Sequence, residues 1–496
     1  MQQAYPTIFS RGFFLTMFRL LACAALSCSL LAVTASAEDW PKFGRDLAND
    51  GHSAETGISS KNVTSLQNKW TFTAGGEIST TPVVATISGR HVVFVGAWNG
   101  VFYAIDAVTG QQLWTFTVDY VGGKCVQTPT PNCRIGSTAA VDTVNKLVFF
   151  GSYNGYLYAL NATNGQLVWK VLTGDSVGAG YEVWASPSIY NGMVLIGTSS
   201  HGDTPCIPGG SVVAYNETTG QPVWNFATID QDTCPGGGGC LGGAIWSSLA
   251  VDDVNGIVFA GTGNPGSTCT PPSQNAGLYP DSVLAINANT GQLLNYFQAV
   301  QNDNADLDFG GSPILHFTGA NDQCTGQQSS QYWVSEGSKD GYVYTLRRNA
   351  QGLTGNPQMN LAGKAGEGII ATIALLPATV TKSCAPNMKQ IQYVNGIFSL
   401  AVNGNFYVFQ QIPGGKVSVR ANQTMSDTFY GQPAVIEDIA LFGGKDGNLY
   451  ASDYNGKILN TIALGSPAYG GVSISNGRAY IGTKDGVVHC FSVNGH

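Results

Sequence analysis

The sequence predicts an all-β protein: an eight-bladed β-propeller of four-stranded antiparallel blades, its ring closed by an N-terminal strand. Three observations carry that expectation. The composition is turn-rich and poor in charge, a strand–turn unit recurs eight times, and the two chain ends each carry half of an incomplete unit. Of 496 residues, 43 % are hydrophobic and only 11 % charged, with 64 glycines and 21 prolines. Glycine averages roughly 7 % of residues, so this chain carries nearly twice the usual supply. Disorder needs low hydrophobicity and high net charge, and helical bundles avoid glycine, so both are excluded. A formal charge of −8 without any run of Lys or Arg excludes nucleic acid as a partner.

The repeated unit is clearest in Val93–Trp114 and Val148–Trp169. Each is an apolar run, a Gly-led turn, a second run, a Thr/Asn-Gly turn and a third run ending in Trp. Copies follow at Val194–Trp224, Val258–Phe297, Tyr332–Arg347, Phe398–Gln410, Ala440–Ile462 and Ala479–Val493. Short Val, Ile, Tyr and Phe runs bounded by Gly, Asn and Asp are strands joined by tight turns. Such sheets bury both faces by stacking radially as blades. The last copy lacks an outer strand, and Leu66–Phe72 is an orphan version of Gln112–Phe116. Pairing the two closes the ring and removes an open sheet edge.

Residues 1–37 read as a secretory leader. Arg11 and Arg19 precede an apolar stretch, Leu20–Val33, too short to span a bilayer, and Ala35-Ser36-Ala37 has the small-x-small form of a cleavage site. Residues 38–496 are then a single exported propeller domain, periplasmic or secreted, with no membrane insertion after cleavage. Nine of the eleven cysteines lie beyond the leader, most in Gly/Pro-rich loops, as expected of disulfide staples in an oxidising compartment. Cys125–Cys133 and Cys234–Cys240 are plausible short-loop pairs, and Cys490, inside an apolar run, is the expected free thiol. The CxxC and CxxCH patterns of thiolate metal sites and c-type haem are missing. Gly261-Thr-Gly-Asn-Pro-Gly266 has the form of a dinucleotide fingerprint, but Ser267–Pro272 cannot open the helix that motif requires.

The spacing Ala-x-Asp/Asn-x-x-x-Gly-x-x-x-Trp occurs at Ala104–Trp114, Ala159–Trp169 and Ala214–Trp224, and ends in Asn at Asn295. It resembles the tryptophan-docking repeat of quinoprotein alcohol dehydrogenases, eight-bladed propellers that hold pyrroloquinoline quinone (PQQ) over Ca²⁺. Asp39–Asn49 also resembles their N-terminal segment, and the nearest branch is that of polyvinyl-alcohol dehydrogenases, without their haem motif. The resemblance implies roles for particular residues. Trp246 is the floor beneath the quinone, and Asn264 a metal ligand. Asp308, with Asp306 close by, is the catalytic base and a further ligand. Lys339 hydrogen-bonds the quinone, although Lys445 and Lys484 stand in the same Lys-Asp-Gly turn pattern. Arg134 pairs with a cofactor carboxylate. The family's glutamate ligand is missing from Thr198–Asp203, leaving Asp203 as the available carboxylate, and the adjacent-cysteine disulfide that caps the cofactor in many members is also missing. The implied function is oxidation of an alcohol or polyol with PQQ and Ca²⁺, electrons passing to an external acceptor. The competing expectation is a non-catalytic propeller that binds protein or carbohydrate in the cell envelope.

Overall fold

Alternating apolar runs become strands, and the turns between them fall at glycine or Asx positions. The computed structural model describes residues 38–120, 123–124, 133–174, 181–200, 210–229, 242–265, 279–301, 303, 305–361, 368–385, 388–400, 404–414, 416–425 and 428–493. The expected leader therefore lies outside the described residues. Four antiparallel strands form each of blade 1 (83–117), blade 2 (140–172), blade 3 (188–227), blade 4 (250–298), blade 7 (434–463) and blade 8; the short strand Tyr181–Glu182 adds a fifth to the sheet of blade 3, and His52–Ser53 a fifth, parallel one to blade 7. Blade 8 takes three strands from 473–492 and its outermost strand, Gln67–Thr73, from the other end of the chain, with Trp70 opposite Cys490. The closure expected from the two incomplete ends is thus the one observed.

Blades 5 (314–361) and 6 (374–424) differ from the expectation of separate sheets. Their inner hairpins are longer than in the other blades, and Gly319–Asp322 pairs with Gln390–Tyr393, fusing them into one eight-stranded sheet. These extensions are mixed polar segments without the repeat's spacing, which is why the repeat pattern does not reveal them.

The repeated tryptophans seal blade junctions. Trp70, Trp114, Trp169 and Trp224 each donate an indole N–H to a carbonyl of the next blade: Ala107 O at 3.1 Å, Ala162 O at 3.1 Å, Glu217 O at 2.9 Å and Ala288 O at 3.0 Å. Each ring also covers the receiving glycine turn. At Gly220, with φ of +68°, a β-carbon would lie 2.8 Å from Trp169, so both space and backbone require glycine. Asn295 takes the same position in blade 4, but its amide docks by hydrogen bonds, donating to Leu353 O at 3.0 Å and accepting Leu353 N–H at 2.8 Å.

The N-terminal segment crosses the end of the propeller where the inner strands finish. Trp40 pairs with Val84, and carbonyls of Pro41, Leu47, Ala48, Asp50 and Gly51 accept the amides of Val141, Val251, Leu315, Leu375 and Val435. Asn49 donates to Leu249 O and Pro313 O, and the buried Lys42 bonds Asn49 and the carbonyls of Phe43 and Asp46. Burial brings Lys42 down to about 7. Cys133 and Cys324 are disulfide-bonded, and Cys490 is the expected buried free thiol. Cys125, Cys234 and Cys240 lie outside the described residues.

One inter-blade contact predicts a pH effect. Glu217, buried at the turn that receives Trp169, shares a proton with Asp142 of blade 2; burial and then Asp142 push it up to about 7. A carboxyl raised above its unfolded value contributes stability that is complete below about 4.5 and lost as pH rises through 7. Glu217→Gln keeps a donor toward Asp142 and removes that loss. Relative to the parent it is expected to gain about 1 kcal/mol at pH 8 and nothing at pH 5, read from thermal melts. An equal effect at both pH values would exclude the shared proton.

Candidate active site

The residues just before each inner strand meet around the propeller axis. Their backbone amides form a relay: Thr81 N–H donates to Thr138 Oγ1 at 2.9 Å, Thr138 to Ser186 Oγ at 3.1 Å, Ser186 to Ser248 Oγ at 3.1 Å, Ser248 to Ser312 Oγ at 2.8 Å and Ser312 to Thr372 Oγ1 at 2.8 Å. Gly471 N–H returns to Thr81 Oγ1 at 3.1 Å. Small hydroxyl residues are needed because the inner strands converge there, and each must satisfy a neighbour's amide. Above the relay opens a cavity of about 500 Å³, with Phe43 of the N-terminal segment also in its lining. Aromatic rings from several blades line it, among them Trp98, Trp184, Trp246, Tyr430 and Tyr469.

Three of the expected site residues meet beside this cavity, around Trp246 of its lining. Trp246 Nε1 donates to Asp308 Oδ2 at 3.1 Å. Lys339 Nζ lies 2.7 Å from Asp308 Oδ1, 2.7 Å from Asp306 Oδ1 and 5.2 Å from the centre of the Trp246 ring. The backbone fixes this pairing, since Lys339 N–H donates to Asp308 O at 2.8 Å. Asp308 is only 2 % exposed. Burial pushes its carboxyl above the ordinary range, against the Lys339 charge and the hydrogen bonds from Lys339 and Trp246. For Lys339, burial works downward, but Asp308 and Asp306 outweigh it and hold the ammonium above its usual value. Asp306 takes a left-handed backbone, φ +59°, and its side chain is exposed. Asp308, not Asp306, is therefore the sequestered carboxylate.

Asn264 follows the strand Ile257–Gly261 of blade 4, and its carbonyl accepts the Gly243 amide at 3.0 Å. A β-carbon at neighbouring Gly263 would stand 3.2 Å from Asp308 Oδ2, so the Asn264 loop borders the carboxylate. The same Gly261–Asn264 run, which has the form of a dinucleotide fingerprint, leaves a strand in mid-sheet. Arg134 stands apart from them, its guanidinium 4.1 Å from the centre of the Trp98 ring, which lines the cavity. Asp203 lies outside the described residues, and among the described residues no three acidic, His or Cys side chains come together as a metal cluster.

Several site residues escape the sequence reading. Glu77 lines the cavity, raised by burial against the charges of Lys484 and Arg134. Lys484 lines it too, so one of the other Lys-Asp-Gly turns also faces the site. Two buried carboxylates flank the Asn264 loop with no hydrogen-bond partner: Glu336, fully buried beside Gly261, and Asp281, at φ +52°. Burial and then Asp308 raise Glu336 well above its usual value; burial, then Asp303 and Asp308, bring Asp281 to about 8. Single acidic residues in turns leave no signal in one sequence. The recurring Ser/Thr-Pro pairs at Thr81, Ser186 and Ser312 are the signal that could have marked the cavity rim.

Comparison with known proteins agrees with the propeller fold. Residues 40–362 match the family described as glucose/ethanol/alcohol dehydrogenase, beta-propeller domain (PQQ). The chain is 27 % identical over 335 residues to a quinohemoprotein alcohol dehydrogenase of Comamonas testosteroni, covering 58 % of this chain and 44 % of that protein. It is 23 % identical over 496 residues to a polyvinylalcohol dehydrogenase of a Pseudomonas species, covering 90 % and 73 %. The crystal structure of the Comamonas testosteroni enzyme superposes with a TM-score of 0.70 at 19 % identity, over 92 % of this chain and 81 % of that one, a likeness of fold. The chain spans about half the length or less of the first curated relatives it matches. An eight-bladed ring closed by its own N-terminal strand, sealed by docking tryptophans and matched over most of its length, makes this chain a member of the PQQ β-propeller family of alcohol dehydrogenases.

Proposed function

We propose that the protein is an exported quinoprotein dehydrogenase, oxidising an alcohol or polyol with PQQ and passing electrons to an external acceptor. The observation that carries this reading is the convergence of Lys339 and the buried Asp308 on Trp246, whose ring lines the axial cavity. The lining fits the cofactor in kind: indole and phenol faces suit a flat quinone, and Lys484 in the lining, with Lys339 and Arg134 beside its tryptophans, suits its carboxylates. PQQ, when bound, supplies the two-electron acceptor. Asn264 and Asp308 are hard oxygen donors and would hold Ca²⁺, with Asp203 as a third candidate, supplying Lewis acidity at the quinone carbonyl.

The chain's own residues supply the rest. Asp308 accepts the proton of the substrate hydroxyl, its affinity for that proton raised by burial. Lys339 holds the carboxylate in place and balances its charge until the proton arrives. Trp246 offers its ring face to the cofactor and its N–H to Asp308, fixing both in one geometry. The aromatic walls exclude water and strengthen these charge interactions.

Titrating the purified protein with PQQ, with and without Ca²⁺, by absorbance and calorimetry tests the proposal. Stoichiometric, Ca²⁺-dependent binding followed by alcohol-dependent dye reduction is the expected result. Lack of binding at micromolar cofactor would overturn it. Trp246→Ala is expected to weaken PQQ binding roughly tenfold or more, and unchanged affinity would remove the stacking role.

A further inference from the structure

The end of the propeller opposite the axial cavity carries a second concave surface. Strand Ile314–Asp322 of blade 5 runs between two hollows of about 610 and 390 Å³, and Leu315, His316 and Phe317 line both. Five large aromatic residues are exposed among the described residues, and three gather here: Phe317 at 48 %, Tyr332 at 50 % and Tyr393 at 37 %. They form a row across three adjacent strands. Phe317 faces Tyr332 across one strand pair, and its ring centre lies 6.0 Å from that of Tyr393 on the other side. Strand spacing sets such a row at about 10 Å from end to end. The fusion of blades 5 and 6 is what brings Tyr393 beside Phe317.

Polar groups border the rings. Asp252 and Asp253 line one hollow, Asp50 and Asn395 the other, and Asp46 stands at the rim. Most of these carboxylates already have internal cations: Arg348 pairs with Asp252, and Arg45 with Asp46 and Asp50. A cationic ligand would have to displace those partners. A neutral ligand rich in hydroxyls can donate to the remaining lone pairs while its apolar face covers the rings.

We infer that the Tyr332–Phe317–Tyr393 row is a binding site for a polysaccharide chain, whose sugar rings stack on the aromatic faces and whose hydroxyls bond the accessible carboxylates of Asp253 and Asp46. The site is independent of the proposed oxidation and would hold a polymer on the far side of the ring from the cavity.

Native gel electrophoresis of the full protein through gels containing hydroxyethyl cellulose, xylan, dextran or polyvinyl alcohol tests it. Retardation by at least one polysaccharide is expected. The double variant Phe317→Ala/Tyr332→Ala should weaken it about tenfold, while Phe317→Tyr/Tyr332→Phe, which keeps both rings, retains it. Both positions are half-exposed, and the Ala variant should still titrate with PQQ as the parent does. No retardation by any polysaccharide overturns the inference, as does equal retardation of the parent and the Ala variant. Equal retardation by polyvinyl alcohol, which has no sugar ring, also overturns it.

Discussion

Asp308→Asn is expected to lower alcohol-dependent dye reduction by about 10²–10⁴-fold, the range typical for loss of a general base. PQQ affinity should stay within about threefold, because uniform binding and the chemical step are separate contributions. The substitution is nearly isosteric, and the amide oxygen can still accept the Trp246 N–H, now at 3.1 Å from Oδ2. It removes the one buried carboxylate that both faces Trp246 and is held by Lys339. Dye reduction and cofactor titration on the same preparation separate the two quantities. Unchanged turnover would exclude Asp308 as the base, and lost PQQ binding would make it a cofactor-site residue instead.

Removing residues 38–73 is expected to abolish cooperative folding. That stretch supplies the outer strand of blade 8, with registered pairs from Gln67↔Ser492 to Thr73↔Val487. It also supplies backbone partners to the inner strands of six blades, from Val84 to Val435. Each orphaned buried amide costs about 1–3 kcal/mol, and a handful exceeds the whole stability of a typical domain. Calorimetry should show no sharp transition for the truncated chain. Trp70→Ala offers a milder test: its ring is 9 % exposed and seals the junction of blades 8 and 1, so a loss of about 3 kcal/mol is expected. A truncated chain that still melts cooperatively would mean that ring closure is dispensable.

The ring was legible in the sequence because its information is periodic. A Gly turn and a Trp at fixed spacing recur in separate blades, and the unpaired Leu66–Phe72 had one place to go. The fused hairpins of blades 5 and 6 were not legible, because their polar strands repeat nothing and their pairing joins residues some seventy apart. The site was legible in part. Trp246, Asp308 and Lys339, singled out from the sequence, lie in contact, with the Asn264 loop at the border. Glu77, Glu336 and Asp281 were invisible because their meaning lies in burial and in what surrounds them, which composition and spacing do not encode. Lys484 was seen, but only as one of three similar turns.

The junction chemistry divides the ring into two halves. From blade 8 round to blade 4, every seam is closed by an indole; beyond it the same register position holds Asn295, Gln358, Ala421 and Asn460. Apolar clusters span these seams as well, but at the outer strand Asn295 and Asn460 dock by directional amide bonds, to Leu353 and to the Val63 carbonyl, where the other blades use an indole. The seal therefore changes in kind at the seam of blades 4 and 5, where the Asn264 loop borders Asp308. In native-state hydrogen exchange, outer-strand amides beside an indole seal should exchange more slowly than those beside Asn295 or Asn460. A cofactor or cation bridging that border would act as a clasp at the seam where the ring changes from an indole seal to an amide one.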